Sequence, residues 1–118
     1  MPAPAHVRID VVNGCGVARA GRDVMREMLA AGFNVYAVRN STQHWGHTTV
    51  VDRLDPEGRN ACIVSEALEV PRCFLGIDIG LRVRPECRVE IDSTRYVDAE
   101  VVVGSDYRLF FPGARPAH

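Results

Sequence analysis

An apolar run of β type, Ile9-Asp10-Val11-Val12, breaks at Asn13-Gly14-Cys15-Gly16, and a helical pattern follows directly. This junction constrains the fold more than any other stretch, because a strand that passes to a helix through two glycines reads as the opening of a β-α-β unit. Glycine permits positive φ, and a helix start leaves backbone N–H groups without internal partners. Such a corner either closes a tight turn or holds an anion. The rest of the chain favours the turn. Position 19 is Arg where the third glycine of a dinucleotide fingerprint would stand, and no acidic residue ends the second strand. Arg39 suits a 2′-phosphate at that place, so the competing expectation is a cytosolic domain that binds a nucleotide, anion or other small molecule at Asn13, Gly14, Cys15 and Gly16.

Val7 to Val12 reads as a buried strand. Val17, Val24, Met25, Met28 and Leu29 then recur at helical spacing, with Arg19, Arg22, Asp23, Arg26 and Glu27 on the other face. Gly32 suits a Schellman stop with Phe33 folded back on the last turn. Asn34 to Arg39 begins a second strand and Thr48 to Arg53 a third. Asp55-Pro56-Glu57 predicts a helix start with Pro at its first position. That helix is expected to bury Ile63, Val64, Ala67 and Leu68, expose Ser65, Glu66 and Glu69, and end before Pro71. Leu81–Arg84 and Cys87–Ile91 alternate around Pro85-Glu86 and predict a hairpin. Ala99 to Val103 is a final apolar strand closed by Gly104. The order βαββαβ with an inserted hairpin predicts an α/β two-layer sandwich, two helices packed on one mixed sheet.

A chain of 118 residues, 47% apolar and 25% charged, suits one domain with a single core. Its expected limits are 7–107, with residues 1–6 as a linker and 108–118 as a tail. The Pro/Ala-rich start and Pro112-Gly113-Ala114-Arg115-Pro116 read as trimmed linkers of a longer protein. A net charge of -1 gives no bulk attraction for nucleic acid or anionic membrane, so any such contact has to be local. No stretch approaches the roughly 20 apolar residues of a span, and the start lacks the parts of a signal peptide; a soluble chain is expected. Cys15, Cys62, Cys73 and Cys87 form no Cys-x-x-Cys pair, so free thiols are expected in place of a metal site. An even count also permits disulfides in an exported domain.

The loop after the second strand carries His44-Trp45-Gly46-His47. Two histidines without a partnered carboxylate make a weak metal site, and Trp45 reads either as a lid on the sheet edge or as a stacking platform for sugar or peptide. Cys15 beside a helix start can be activated as a nucleophile, with only the His44–His47 loop to supply a base; a thiol enzyme centred on it ranks last, behind a small buried side chain. Asp52-Arg53 and Asp106 can be read as acid/base residues, but a charge pair that pins loops at a sheet edge is the stronger expectation. If the first two strands are parallel, the Asn13 corner neighbours Asn40 and the loop through His47. The expected ligand-binding edge is then Asn13, Gly14, Cys15, Gly16, Asn40, His44, Trp45 and His47, with no catalytic residue, metal or cofactor.

The joint order of Val-x-Val-Asn-Gly-Cys-Gly, Gly32-Phe33-x-Val35, Asn40, Thr49-Val50-Val51-Asp52-Arg53, Leu68 and Asp98-Ala99-x-Val101-Val102-Val103-Gly104-x-Asp106-Tyr107 resembles the carboxy-terminal domain of LytR/CpsA/Psr-type cell-envelope proteins. The resemblance runs from about Val7 to Tyr107. It implies a noncatalytic accessory α/β domain, held outside the cytoplasmic membrane by a tether in the parent protein and binding an envelope protein or wall polymer. Ala18-Arg19 stand where many relatives have Pro-Gly, and the connection from Cys73 to Cys87 is longer than usual.

Overall fold

The computed structural model describes residues 3–113. Strand β1, Arg8–Asn13, lies within the sheet and alternates as a half-covered strand should: Ile9 and Val11 are fully buried, while Asp10 and Val12 face the other side. Helix α1, Ala20–Ala30, lays Val24 and Met28 on the sheet, each worth about 1.5–3 kcal/mol of apolar burial. It stops as expected. Gly32 takes φ 98°, its N–H donates to the Leu29 carbonyl at 3.0 Å, and the Phe33 N–H donates to Met28 at 3.0 Å. The chain then enters β2, Asn34–Asn40, which runs parallel to β1 and pairs Asn13 with Asn40 at the end of the ladder.

The remaining elements are β3 Thr49–Asp52, α2 Arg59–Ala67, β4 Val70–Phe74, β5 Ile77–Val83, β6 Glu86–Val89, β7 Ala99–Val103 and α3 Tyr107–Phe110. Five strands form a mixed sheet in the order β2-β1-β7-β3-β6, and β4-β5 form a separate two-stranded sheet. Strand β7 is parallel to β1 and antiparallel to β3, and β3 is parallel to β6. Every residue of β3 and β7 is buried, which explains their continuous β-branched runs. The result is the expected α/β sandwich of helices on a mixed sheet, with a third short helix added.

Several local expectations are corrected. The hairpin is made by β4 and β5, not by the two segments around Pro85-Glu86. The turn is Leu75-Gly76, with φ 51° and 79°, a pair of positive angles that suits a two-residue primed turn. Pro85 instead marks the change of sheet. Ser65 Oγ donates to its carbonyl at 2.6 Å, and the Glu86 N–H donates to Thr48 at 3.2 Å, which starts β6 along β3. Ser65 is therefore fully buried and Ile63 is 38% exposed, the reverse of the expected faces. Asp55-Pro56-Glu57 is a turn closed by the Gly58 N–H on Asp55, and α2 begins at Arg59. Within the expected 108–118 tail, Phe110 and Phe111 belong to the buried core. Residues 114–118 of that tail, and Met1 and Pro2 of the expected linker, lie outside the described residues.

Two carboxylates hold the sheet in ways that periodicity does not reveal. Asp52 is fully buried and accepts backbone N–H groups from Leu54 at 3.0 Å, Asp55 at 2.8 Å and Ala61 at 3.1 Å, so it ties the end of β3 to the first turn of α2. Glu100 is buried on the sheet face that carries Asp10. Arg53 Nε donates to it at 2.5 Å, and Arg39, which also lies 3.6 Å from Asp10, closes the other side. Arg53 pairs with Glu100 and not with its neighbour Asp52, whose carboxylate is occupied by backbone N–H groups.

Candidate functional site

Because β1 and β2 are parallel neighbours, their carboxyl ends share one edge, and the Ser41 N–H donates to the Asn13 carbonyl at 2.9 Å. The Asn13 corner and the loop after Asn40 are thus brought together as expected. Asn13 itself builds the corner. Its Nδ2 donates to the Val17 carbonyl at 3.0 Å, and its Oδ1 accepts from both the Cys15 N–H and the Cys15 thiol at 3.3 Å. Gly16 takes φ 76°, a conformation that L side chains rarely adopt. The helix does not start there. Val17, Ala18 and Arg19 intervene, with Arg19 at φ 70°, and α1 begins at Ala20.

Trp45 packs against this corner. Its backbone N–H donates to the Gly14 carbonyl at 2.7 Å, and a Cβ at Gly14 would stand 2.6 Å from Trp45 Cδ1, so glycine is needed for the close approach. The indole N–H donates to Ser41 Oγ at 3.2 Å, and the Arg88 guanidinium lies 5.2 Å from the ring centre. These contacts make Trp45 a half-buried lid on the sheet edge, not an open platform. His44 Nε2 meets Ser105 Oγ at 3.0 Å, and His47 Nδ1 lies 3.6 Å from Asp106 Oδ2. Asp106 Oδ1 accepts the Thr48 N–H at 2.6 Å, so Asp106 pins the loop as expected.

A cleft of about 430 Å³ remains between the two loops. Asn13, Gly14, Gly16, Val17 and Ala18 line one side; Asn40, Ser41, Thr42, Gln43 and His44 line the other. Of the expected site residues, Cys15, Trp45 and His47 do not line it: Cys15 is buried, Trp45 is folded onto Gly14, and His47 turns to Asp106. Gln43 belongs to the expected Gln43–His47 loop, whereas Ser41 and Thr42 escape the sequence reading, since a polar run in a loop carries no periodic signal. The lining offers amide and hydroxyl groups and one imidazole, with no carboxylate, ammonium or guanidinium. A second cleft of about 360 Å³ shares Asn13 and Asn40 with the first and adds Arg19, Arg22 and Arg39. Burial, then the nearby Arg95, pushes the Arg39 guanidinium below its usual range.

Two of the corner's N–H groups are already used. The Gly14 N–H donates to Val103 at 2.9 Å, and the Cys15 N–H is taken by Asn13. The Cys15 thiol donates its proton to an amide oxygen and has no base among its hydrogen-bond partners. All four cysteines are free, and burial, followed by the neighbouring Cys87, raises the Cys62 thiol above its ordinary value.

Fold and edge together define a small α/β domain with a polar cleft, free of carboxylate, ammonium and guanidinium groups, at the carboxyl ends of β1 and β2. The family model described as LytR cell envelope-related transcriptional attenuator matches residues 6–107, and the chain belongs to that family. It is a cell-envelope-associated accessory domain. No curated protein and no solved structure matches the chain. Among the described residues, no helix is long and apolar enough to cross a membrane.

Proposed function

We propose that this domain is a noncatalytic binding module that holds a wall glycan or an extended segment of an envelope protein in the cleft between the Asn13 corner and the Asn40–His44 loop. In the parent protein it stands outside the cytoplasmic membrane on a tether. The observation that carries this reading is the lining: Asn40, Ser41, Thr42, Gln43 and His44 face the corner across an open cleft without a single formal charge from a carboxylate or guanidinium. Amides and hydroxyls recognise the hydroxyl and acetamido groups of saccharides and the peptide groups of an extended chain by pairing donors with acceptors.

The rival, an anion or nucleotide held by the glycine corner, is less well supported because the helix starts at Ala20 and the corner's Gly14 and Cys15 N–H groups are already used. The test is titration of the domain with soluble wall fragments and with phosphate, comparing the parent with Asn40→Ala and Gln43→Ala. Neither residue is buried, so both variants should fold. Binding of a wall fragment that weakens about tenfold in either variant supports the reading, in line with loss of one or two hydrogen bonds. Binding that ignores both substitutions removes the cleft from the function, and phosphate-dependent stabilisation without fragment binding favours the rival.

A further inference from the structure

The β4-β5 hairpin is an arm whose surface folding does not explain. Phe74 is 66% exposed, Leu75 86% and Ile77 68%, and all three stand at its tip. Leu75 also takes φ 51°, where Asn or Gly is at ease and Leu is strained. The chain thus accepts strain to hold a leucine at the point of the arm that gains least from burial, a pattern that marks interaction surfaces.

The arm's edges are poorly suited to strand addition. Pro71 removes a donor from β4, and Ile79 and Gly80 of β5 oppose no β4 residue, with Gly80 at φ 81°. What remains is the tip and one face. The pairs Val70↔Val83, Arg72↔Leu81 and Phe74↔Ile77 place these side chains on the same side, with Val70 and Val83 packed against the core at the root. Arg72 lies on that apolar face and Arg82, opposite Pro71, on the other. Neither has a carboxylate within 4 Å among the described residues, whereas Arg84 at the root is held by Glu66 at 3.3 Å.

We propose that the arm seats its Phe74-Leu75-Gly76-Ile77 tip in an anionic phospholipid surface, with Arg72 and Arg82 as its phosphate contacts. At about 3.3 Å per residue, Arg72 stands roughly 7 Å behind Phe74. An apolar tip lodged ~5–10 Å into the interface therefore carries that guanidinium to the level of the headgroup phosphates. A convex apolar tip with two uncompensated guanidinium groups behind it complements a negatively charged bilayer surface. Asp78, opposite Cys73, sets the limit of depth: its Oδ1 accepts the Gly80 N–H at 2.8 Å, and its remaining charge resists entry into the hydrocarbon.

The experiment is vesicle flotation of the full chain with phosphatidylcholine alone and with added phosphatidylglycerol. Expected is binding that depends on phosphatidylglycerol. It should fall about tenfold or more in Leu75→Asn, the scale of losing one buried large apolar side chain, with melting unchanged or raised because Asn tolerates positive φ. Arg72→Gln/Arg82→Gln should lose the preference for phosphatidylglycerol, and Asp78→Asn should strengthen binding. No flotation with phosphatidylglycerol, or flotation indifferent to Leu75→Asn, overturns the proposal. So does a concentration-dependent doubling of mass that Leu75→Asn abolishes without any vesicle binding, which assigns the tip to a second copy.

Discussion

Strands β7 and β5 are built from similar residues and have opposite fates. In β7, Val101 and Val103 are fully buried and Val102 is 3% exposed; in β5, Ile77, Ile79 and Leu81 are 68%, 47% and 58% exposed. The difference lies in their neighbours. Strand β7 has β1 on one side and β3 on the other, with helices above, whereas β5 has only β4. An apolar strand therefore announces that it seeks cover, and only topology says whether the chain itself provides it. Polar residues tell the same story: buried Asp52 and Ser65 fasten the body, and the arm's charges face outward.

The largest expected effect tests whether the body depends on such buried polar fastening. Asp52→Ala leaves the N–H groups of Leu54, Asp55 and Ala61 without their acceptor. Hydrogen bonds to a buried carboxylate contribute more than neutral ones, so the loss should be about 3 kcal/mol or more in urea unfolding. A loss under about 1 kcal/mol would mean that the end of β3 holds α2 by packing alone.

A smaller effect is expected at the cleft edge. Gly14→Ala places a Cβ 2.6 Å from Trp45 Cδ1, and the indole has to move because overpacking is not absorbed by a close-packed contact. About 2 kcal/mol of stability should be lost, together with a change in Trp45 fluorescence, the chain's sole tryptophan. An unaltered emission spectrum would show that Trp45 does not rest on the corner.

Acid separates the two regions further. Asp98 joins β7 to β1 through Arg8, whose guanidinium donates at 2.8 Å and whose backbone N–H donates at 2.9 Å. The Arg8 side-chain hydrogen bond, ahead of its backbone N–H and its charge and against the cost of burial, holds the Asp98 carboxyl below the usual carboxylate range. A depressed folded pKa gives stability that is present above the unfolded value near 3.9 and is lost as pH falls through the lower folded value. Asp98→Asn should cost about 1 kcal/mol at neutral pH. The gap from the parent should close as pH drops below about 4. A gap of constant size down to pH ~2 would remove the ionised pair from the account.

How much of this was readable in the residues follows the same division. The Schellman stop at Gly32-Phe33, the parallel pairing that joins Asn13 to Asn40, and the buried runs of β3 and β7 follow from periodicity and local backbone chemistry. The arm did not. Leu81–Arg84 and Cys87–Ile91 both alternate, and nothing local says that Val70–Phe74 takes the first while β3 takes the second. Helical spacing alone turns Ser65 outward, and the bond to Pro85 that buries it is nonlocal. In the site, the corner was legible through its glycines. Trp45 as lid is one of two readings the residues leave open, and Ser41 and Thr42 become cleft residues only where two loops meet.

The smallest expected effect cuts the comparison most finely. The arm is held by its own ladder, five paired positions from Val70↔Val83 to Phe74↔Ile77, and an isolated two-stranded sheet is marginal in water. Its opening should cost much less than global unfolding, so hydrogen exchange should show β4 and β5 amides poorly protected while those of β1 and β7 exchange only with the whole domain. Ile77→Ser removes the cross-strand contact with Phe74, a contribution of about 0.2–1 kcal/mol to the local equilibrium. The global unfolding free energy should then stay within about 0.5 kcal/mol of the parent, because the body makes no use of an exposed tip residue. Arm protection should nonetheless fall severalfold. A global loss above about 1 kcal/mol, or arm amides as protected as those of β7, would show that arm and body form one cooperative unit and that the arm's exposed apolar residues serve the fold after all.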